Sequence, residues 1–554
     1  MLGAVAVALV CGWIEASYME HRVLFYDPLA YIHNDTVLRN RVVSEGRLAV
    51  IGSELLHGWN PLRTLPLLIV APRLLGTEGA HLYTAAPALA LFLVLLSWMV
   101  HRGTGSMIAA ASAALFACAV PGFYDPRWGM GAYWLDLPGG FLVGAAACCF
   151  ALSDRARNLR WLCAFGIIGG LAVWARQVTC VYLFLACGPL LAWAIFQNTR
   201  ESATPFRDGS RALAAAGAPA VLLTLAFIVP RFDALFTYYV GAGYGQKTIP
   251  ESLRFAYESL FQFTGFAFLF IGVACIGVGA WIRRQRGEPV WPGVATSLWL
   301  ASSVFLFLGF TCQIGEARHA TFPGISLLLV GFFWMWGPFP SPTGSMPLAA
   351  FGRFRLSAPA VFGLVIALSS VALIGSAVHT GRLKVGYYNE TDTAARKFFR
   401  NLTRKIKDSP RDWIWGVYFD EAIPRLYVYG TWRNATPRID ETFTFVSHET
   451  YWNVHFAGVP AEEIAAIAVA NVRDNVDVLL TFRDPKDASV EWPSEYGIYL
   501  NPISQLVAER VSQEAQDPTR WRKLFELETP MYGAIAAYRN LAREANPPPP
   551  HKTR

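Results

Sequence analysis

Charge is what this chain has least of. Only 16% of its 554 residues are Asp, Glu, Lys or Arg, where a soluble domain carries about 25%. With 54% hydrophobic residues and a mean hydropathy of +0.33, the shortage excludes an ordinary soluble globular protein. Cysteine is missing from the polar C-terminal third, because all nine, Cys11 to Cys312, lie in or beside apolar runs. That third therefore has no disulfide staples. The thiols, unclustered with His or carboxylate partners, read as small core residues instead of metal ligands. Missing too are a P-loop, an HExxH and a GxSxG, which argues against ATP-driven transport, metalloprotease and serine-hydrolase chemistry. The net charge of +7 is spread over short loops, not gathered in one patch, so no nucleic-acid footprint is present.

What is present is apolar and aromatic. Nineteen Trp, 37 Phe and 21 Tyr suit membrane interfaces. Met1–Ile14 lacks the basic start of a signal peptide and reads as the beginning of a first transmembrane helix that continues past Glu15. Further apolar runs cover His81–Val100, Met107–Pro121, Leu137–Leu152, Trp161–Ala175 and Val178–Phe196. Leu213–Pro230, Phe263–Trp281, Trp291–Phe310, Ala320–Trp336 and Ala358–Val378 follow. By length these make a polytopic α-helical membrane protein with about eleven transmembrane helices.

Topology hangs on Gly166–Phe196, which is apolar apart from Arg176, Gln177 and Thr179. It is either one long helix or a tight pair turning near Arg176. A turn there sorts twelve loop arginines onto one side of the membrane against six basic residues on the other, the asymmetry expected of cytoplasmic loops. One long helix would erase it. The N-terminus is then cytoplasmic, and Tyr18–Leu75, Arg231–Gln262 and everything after His379 lie outside. From Gly381 charged residues become frequent. Trp413–Phe419, Asp477–Phe482 and Met531–Tyr538 read as strands, and Ala394–Ile406, Ala461–Asn471 and Ser504–Gln513 as helices. The organisation expected is a transmembrane domain over 1–380, an extracytoplasmic α/β domain over 381–545 and a disordered Pro-rich tail over 546–554.

Chemistry concentrates in and around Tyr18–Leu75, which packs Asp27, His33, Asp35, Glu45, Glu54 and His57 beside the membrane, with Arg39, Arg41, Arg47, Arg63 and Arg73 among them. Asp27, followed by Pro28, is placed to cap a helix, and Asp35 lies two turns further along the same face. Acidic groups at a membrane surface are costly unless used. Asp136 stands at the mouth of the Leu137–Leu152 helix. Converging carboxylates such as Asp27 and Asp136 can hold a divalent cation, magnesium or manganese, or act as general base. Glu316, Arg318 and His319 precede another helix, where the planar guanidinium suits a phosphate. Arg176 at its turn offers the same chemistry, although arginines at helix ends more often only anchor the interface. Lys247 sits in a Gly- and Tyr-rich loop that reads as a mobile lid or a polar turn.

Several short motifs, in order and on one membrane side, resemble the GT-C membrane glycosyltransferases of the protein mannosyltransferase and aminoarabinose-transferase type. They are the acidic residue after the first helix, Ser44–Leu48, Asn60-Pro61-Leu62, Leu74–Glu78, Leu135-Asp136-Leu137 and Arg318–Gly324. The likeness covers roughly Met1–Val378. Asp27 is followed by Pro28 where the family often carries an adjacent Asp-Glu pair, and His319 stands where it has Tyr. The resemblance implies inverting transfer of a sugar from a polyprenyl-phosphate donor to a glycan, lipid or protein acceptor, in a bacterial inner or plasma membrane. It implies that Asp27 is the base, that Asp136 positions acceptor or metal, and that Arg318, with Arg176, holds the lipid phosphate. Two other readings compete with it. One is a catalytically silent scaffold subunit that docks a partner complex through its C-terminal domain. The other is a lipid-linked-sugar transporter, which would place ionisable groups at mid-membrane instead of at one surface.

Overall fold

The apolar runs after residue 80 become helices, several of them continuing into flanking polar sequence. The computed structural model describes residues 6–545 except 7, 12, 15–25, 59, 77–81, 126–128, 130–135, 155, 234, 237–247, 312–317, 339–356, 411–412, 419–437, 440–455, 457, 490–501 and 530–532. It gives backbone alone at 26–33, 82–84, 136, 249, 252, 255, 259, 307–311, 318–320, 387–392, 407 and 438–439. The first loop stretch folds into α1 (Tyr26–Glu45), α2 (Arg47–His57) and α3 (Pro61–Val70). Then come α4 (Leu82–Thr104), α5 (Met107–Ala117), α6 (Asp136–Leu152), α7 (Leu159–Ala175) and α8 (Thr179–Glu201). After these follow α9 (Pro205–Ile228), α10 (Ile249–Gln285), α11 (Trp291–Thr311), α12 (Arg318–Trp334) and α13 (Ala358–Lys407).

Among the described residues five helices are long and apolar enough to cross a membrane: Ala85–Thr104, Thr179–Glu201, Pro205–Arg231, Leu260–Gln285 and Ala358–Gly386. The apolar helices α5, α6, α7, α11 and α12 are shorter. Large exposed apolar side chains such as Phe184, Phe206, Phe270, Trp291 and Leu368 line these helices, as lipid-facing surfaces do. The expected first helix lies partly outside the described residues; Ala8 and Cys11 are buried against the core, with Cys11 Sγ 3.2 Å from the Tyr124 hydroxyl.

The turn near Arg176 is present. Helix α7 stops at Ala175, Arg176 is extended (φ −153°, ψ 120°), and the Thr179 amide and hydroxyl donate back to the Arg176 carbonyl at 3.1 and 2.7 Å. Helices α7 and α8 are therefore a hairpin. Side-chain contacts sort the helix ends onto two faces. Gly140 and Gly144 of α6 lie against Phe322 and Ser326 of α12, so those two run parallel. Gly166 and Gly170 of α7 lie against Ala216 and Leu223 of α9, also parallel, while Gly139 of α6 meets Arg176, so α6 and α7 oppose. Helix α6 is buried along its length, packed on α4, α7 and α12. Its run of Gly and Ala lets neighbouring backbones approach closely, which is how apolar helices gain contact where no water drives them together. At the face opposite Arg176, the buried Arg283 donates to the Met335, Trp334 and Gly337 carbonyls at 2.7, 3.2 and 3.3 Å, capping the end of α12.

The C-terminal part hangs on α13. Its 50 residues run unbroken past the expected boundary at 380, about 75 Å of helix. No proline interrupts 379–393, and Gly381 and Gly386 each cost only about 1 kcal/mol in a helix. Beyond it β1 (Ile414–Tyr418), β2 (Arg438–Ile439), α14 (Ala461–Asn475), β3 (Val478–Phe482), α15 (Pro502–Ala515), β4 (Trp521–Glu528), β5 (Ala534–Asn540) and α16 (Leu541–Ala545) form a five-stranded mixed sheet with helices, in the order β2-β1-β3-β5-β4. Strand β1 runs parallel to β2 and β3, and β5 antiparallel to β3 and β4. Phe398, Phe399, Leu402 and Ile406 at the end of α13 are buried in the same core as Trp415, Leu480, Val511 and Ile535. Strand β4 has no clear signal in the sequence, because its WRKLFELE alternates only partly, as an edge strand does.

Candidate active site at the Arg176 face

The stretch around which the sequence gathers its ionisable groups is a small folded unit. Leu38, Val50, Leu67, Leu68 and Leu75 from α1, α2, α3 and the turn after α3 make its core. Asp35 is fully buried and ion-paired with Arg63 at 2.5 Å. Arg39 donates to the Leu75 carbonyl at 3.1 Å, and Arg47 to that of Leu68 at 2.7 Å. Gly76 (φ +75°) takes a left-handed conformation with Thr36 where a Cβ would stand, 2.2 Å from its Oγ1. A side chain there would be both strained and obstructed.

Arg231, at the end of α9, fastens the unit to the bundle. Its guanidinium donates to the carbonyls of Gly58 (2.6 Å), Glu54 (3.0 Å) and Leu55 (2.8 Å), and lies 4.4 Å from the centre of the Phe227 ring. Those of Glu54 and Leu55 lie in the last turn of α2 and Gly58 follows it, where a cation is favoured by the helix dipole. The sequence marked Arg231 only as one more loop arginine, since nothing local signals a partner 173 positions away.

Three helix termini meet beside this unit. A Cβ on Gly139, in the first turn of α6, would stand 3.2 Å from Arg176 Cβ and 3.2 Å from Thr179 Cγ2. A Cβ on Gly140 would stand 2.7 Å from the Phe322 carbonyl carbon, in the first turns of α12. The described part of α6 begins at Asp136 and that of α12 at Arg318, each about one turn from these contacts. The backbone thus brings the Asp136 and Arg318 helix starts and the Arg176 turn to one place. Their arrangement suits an anion, because helix N-termini and a guanidinium both favour negative charge.

Asp27 lies inside α1 (Tyr26–Glu45) and not before it as a cap. The side chains of Asp27, Asp136, Arg318 and His319 lie outside the described residues, as do Glu316 and Lys247 altogether. Asp35 is not aimed at solvent but spends its charge on Arg63. Among the described residues no three His, Cys, Asp or Glu side chains come together as metal ligands. Asp125 closes the turn that precedes α6 and pairs with Lys384 of α13 at 2.5 Å, tying the long helix to this face.

Two crystal structures of ArnT from Cupriavidus metallidurans match this architecture from end to end. The one bound to undecaprenyl phosphate aligns with a TM-score of 0.54 at 13% identity, over 96% of this chain and 97% of that one. The apo structure aligns at 0.55 and 14%, with the same coverage. The fold is shared with ArnT. The resemblance to the GT-C glycosyltransferases drawn from short motifs thus holds at the level of fold. A third structure, the Archaeoglobus fulgidus oligosaccharyltransferase in the apo form, aligns at 0.45 and 13% identity over 96% of this chain and 74% of that one. No protein-family model and no curated protein matches the chain. At such identities ArnT likeness lies in the path of the backbone, so the chemistry must be argued from the residues themselves.

Proposed function

We propose that this chain is an integral membrane glycosyltransferase that moves a sugar from a polyprenyl-phosphate donor to an acceptor at the extracytoplasmic face, with inversion. The observation that carries the reading is the ArnT fold over 96% of the chain, taken with an ArnT structure that holds undecaprenyl phosphate. The meeting of the α6 and α12 starts with the Arg176 turn supports it. In this reading about eleven helices cross the membrane, the Arg176 face is extracytoplasmic, and the sheet carried by α13 stands outside. Arg102, Arg157, Arg200, Arg207, Arg283 and Arg286 fall on the opposite face, against Arg176 and Arg231 on this one, an imbalance that supports that orientation.

The acceptor hydroxyl or amine attacks the anomeric carbon and gives its proton to Asp27, while the bond to the phosphate oxygen breaks and polyprenyl phosphate leaves. Arg318, with Arg176, stabilises the charge growing on that phosphate. Asp136 positions the acceptor, and Glu316, His319 and Lys247 line the donor's approach. Asp35 acts through Arg63, holding the unit that carries Asp27. Asp27 and Asp136 are also the oxygen donors proposed for a divalent cation, magnesium or manganese, which when bound would add positive charge beside the leaving phosphate.

The test is turnover by the purified full chain with radiolabelled polyprenyl-phosphate sugars. Asp27→Asn is expected to lower transfer about 10²–10⁴-fold, the contribution of a positioned general base. Undiminished transfer by both Asp27→Asn and Asp136→Asn would remove these roles. No transfer by the wild type with any such donor would favour the silent-scaffold reading.

A further inference from the structure

The face opposite Arg176 carries an open cavity of about 810 Å³, between the end of α4, the end of α6, the start of α7 and the chain after α12. Arg102, Arg157 and Arg160 line it, with Asp154, Leu159 and Pro338. Its size is that of a ligand site, since small-molecule pockets span roughly 300–1,000 Å³. Helix α6, 17 residues long, separates it from the Asp136 helix start by about 25 Å, so it is no part of the candidate active site.

The three arginines are not equivalent. Arg157 is already engaged, donating to Glu201 at 2.7 Å and to Asn198 at 3.2 Å. Arg102 and Arg160 are exposed, and their guanidinium groups make no hydrogen bond or ion pair with any described residue. Among the described residues Asp154 is the one carboxylate in the lining, and it takes a left-handed conformation (φ 52°). Two uncommitted guanidinium groups from different helices, facing one cavity, form a receptor for a phosphate, which accepts paired N–H donors in the geometry that arginine presents.

Depth decides what carries that phosphate. Arg102 lies in the last turn of the membrane-spanning segment Ala85–Thr104, so the cavity sits where a spanning helix meets the headgroup layer. Exposed Leu159 gives its rim apolar surface, as a lipid's glycerol and first methylenes would require. We propose that this cavity binds the phosphate of an anionic phospholipid headgroup, on the membrane face opposite to the candidate active site. Basic pockets at helix ends are a recurrent way for membrane proteins to select such lipids. The inference does not depend on the transferase reading.

The test uses the full chain in detergent, presented with micelles mixing phosphatidylglycerol and phosphatidylcholine, and counts retained lipid by native mass spectrometry. The wild type is expected to retain one phosphatidylglycerol in preference to phosphatidylcholine. Arg102→Gln with Arg160→Gln should weaken that retention about thirtyfold, the loss expected of two arginines at an anionic surface. Arg207→Gln with Arg284→Gln, exposed on the same face but outside the cavity, should leave it unchanged. A second arm adds inorganic phosphate at matching concentration; displacement of the lipid would overturn the headgroup and make soluble phosphate the occupant. Equal retention by the wild type and the Arg102/Arg160 pair, or equal loss in both pairs, would overturn the site.

Discussion

Asp35 and Arg63 carry the largest single wager in the first folded unit. Both are buried, and their 2.5 Å contact closes α1 onto α3. Removing one partner takes from the other buried charge its 2.5 Å counter-ion, and such losses run to about 3–5 kcal/mol, whereas replacing both with apolar groups of similar size is often neutral. Asp35→Leu alone or Arg63→Met alone is therefore expected to destabilise the unit by that amount, and the double variant by much less. A double-mutant cycle on urea melts or amide exchange of α1–α3 reads the difference; additive losses would deny the pair its role. The sequence made Asp35 visible as an acidic residue on a helix face, but not its partner. Arg63 is one of six arginines in the stretch, and only the fold chooses among them. Arg231 was still less legible, because its acceptors are backbone carbonyls that every residue possesses.

Elements were read more faithfully than side chains. The α7–α8 turn was legible because lipid penalises charge, so loop arginines record which side each helix end occupies. The unbroken α13 was not: the drop in hydrophobicity after Val378 marks where the membrane ends, which is not where a helix must end. The close approach of α6 to α12 leads to a sharp comparison. A Cβ on Gly140 would press on backbone at 2.7 Å, which cannot swing aside, while one on Gly277 of α10 meets nothing within 4 Å. Gly140→Ala is expected to cost about 1–3 kcal/mol and to lower sugar transfer by parting the two helix starts. Gly277→Ala should be neutral or stabilising by about 0.4–1 kcal/mol. Thermal melts in detergent, with transfer assayed beside them, check both; indifference to Gly140→Ala would mean that α6 and α12 do not touch there.

In the C-terminal sheet region, α14 and α15 are joined by Arg473, whose guanidinium meets Glu514 at 2.9 and 2.6 Å. Burial alone would raise the Glu514 pKa, but hydrogen bonds from Arg473 and Trp521 outweigh it and hold the carboxyl below its ordinary 4.5. A carboxylate whose folded pKa is depressed stabilises the fold above its unfolded value and loses that contribution as pH falls through the folded one. The stability gap between wild type and Glu514→Gln should thus be constant above about pH 4.5 and shrink below it. Amide exchange in α14 and α15 measures this, and a gap independent of pH would contradict it.

At the scale of the whole molecule, composition and arginine placement made the membrane bundle and its two faces legible, and short motifs led to the right fold. What they could not supply is which termini touch, because Asp136, Arg176 and Arg318 are scattered over 183 positions of sequence and meet only through small residues in α6. The lipid phosphate of the donor is proposed to bind where these termini meet. For photolabelling, the full chain is illuminated with a polyprenyl phosphate bearing a photoreactive group on its first isoprene unit, and the adducts are mapped by peptide sequencing. Adducts are expected on the starts of α6 and α12 and on the α7–α8 turn, competed away by unlabelled polyprenyl phosphate. Competed adducts confined to the opposite face, around Arg102 and Arg160, would contradict that proposal.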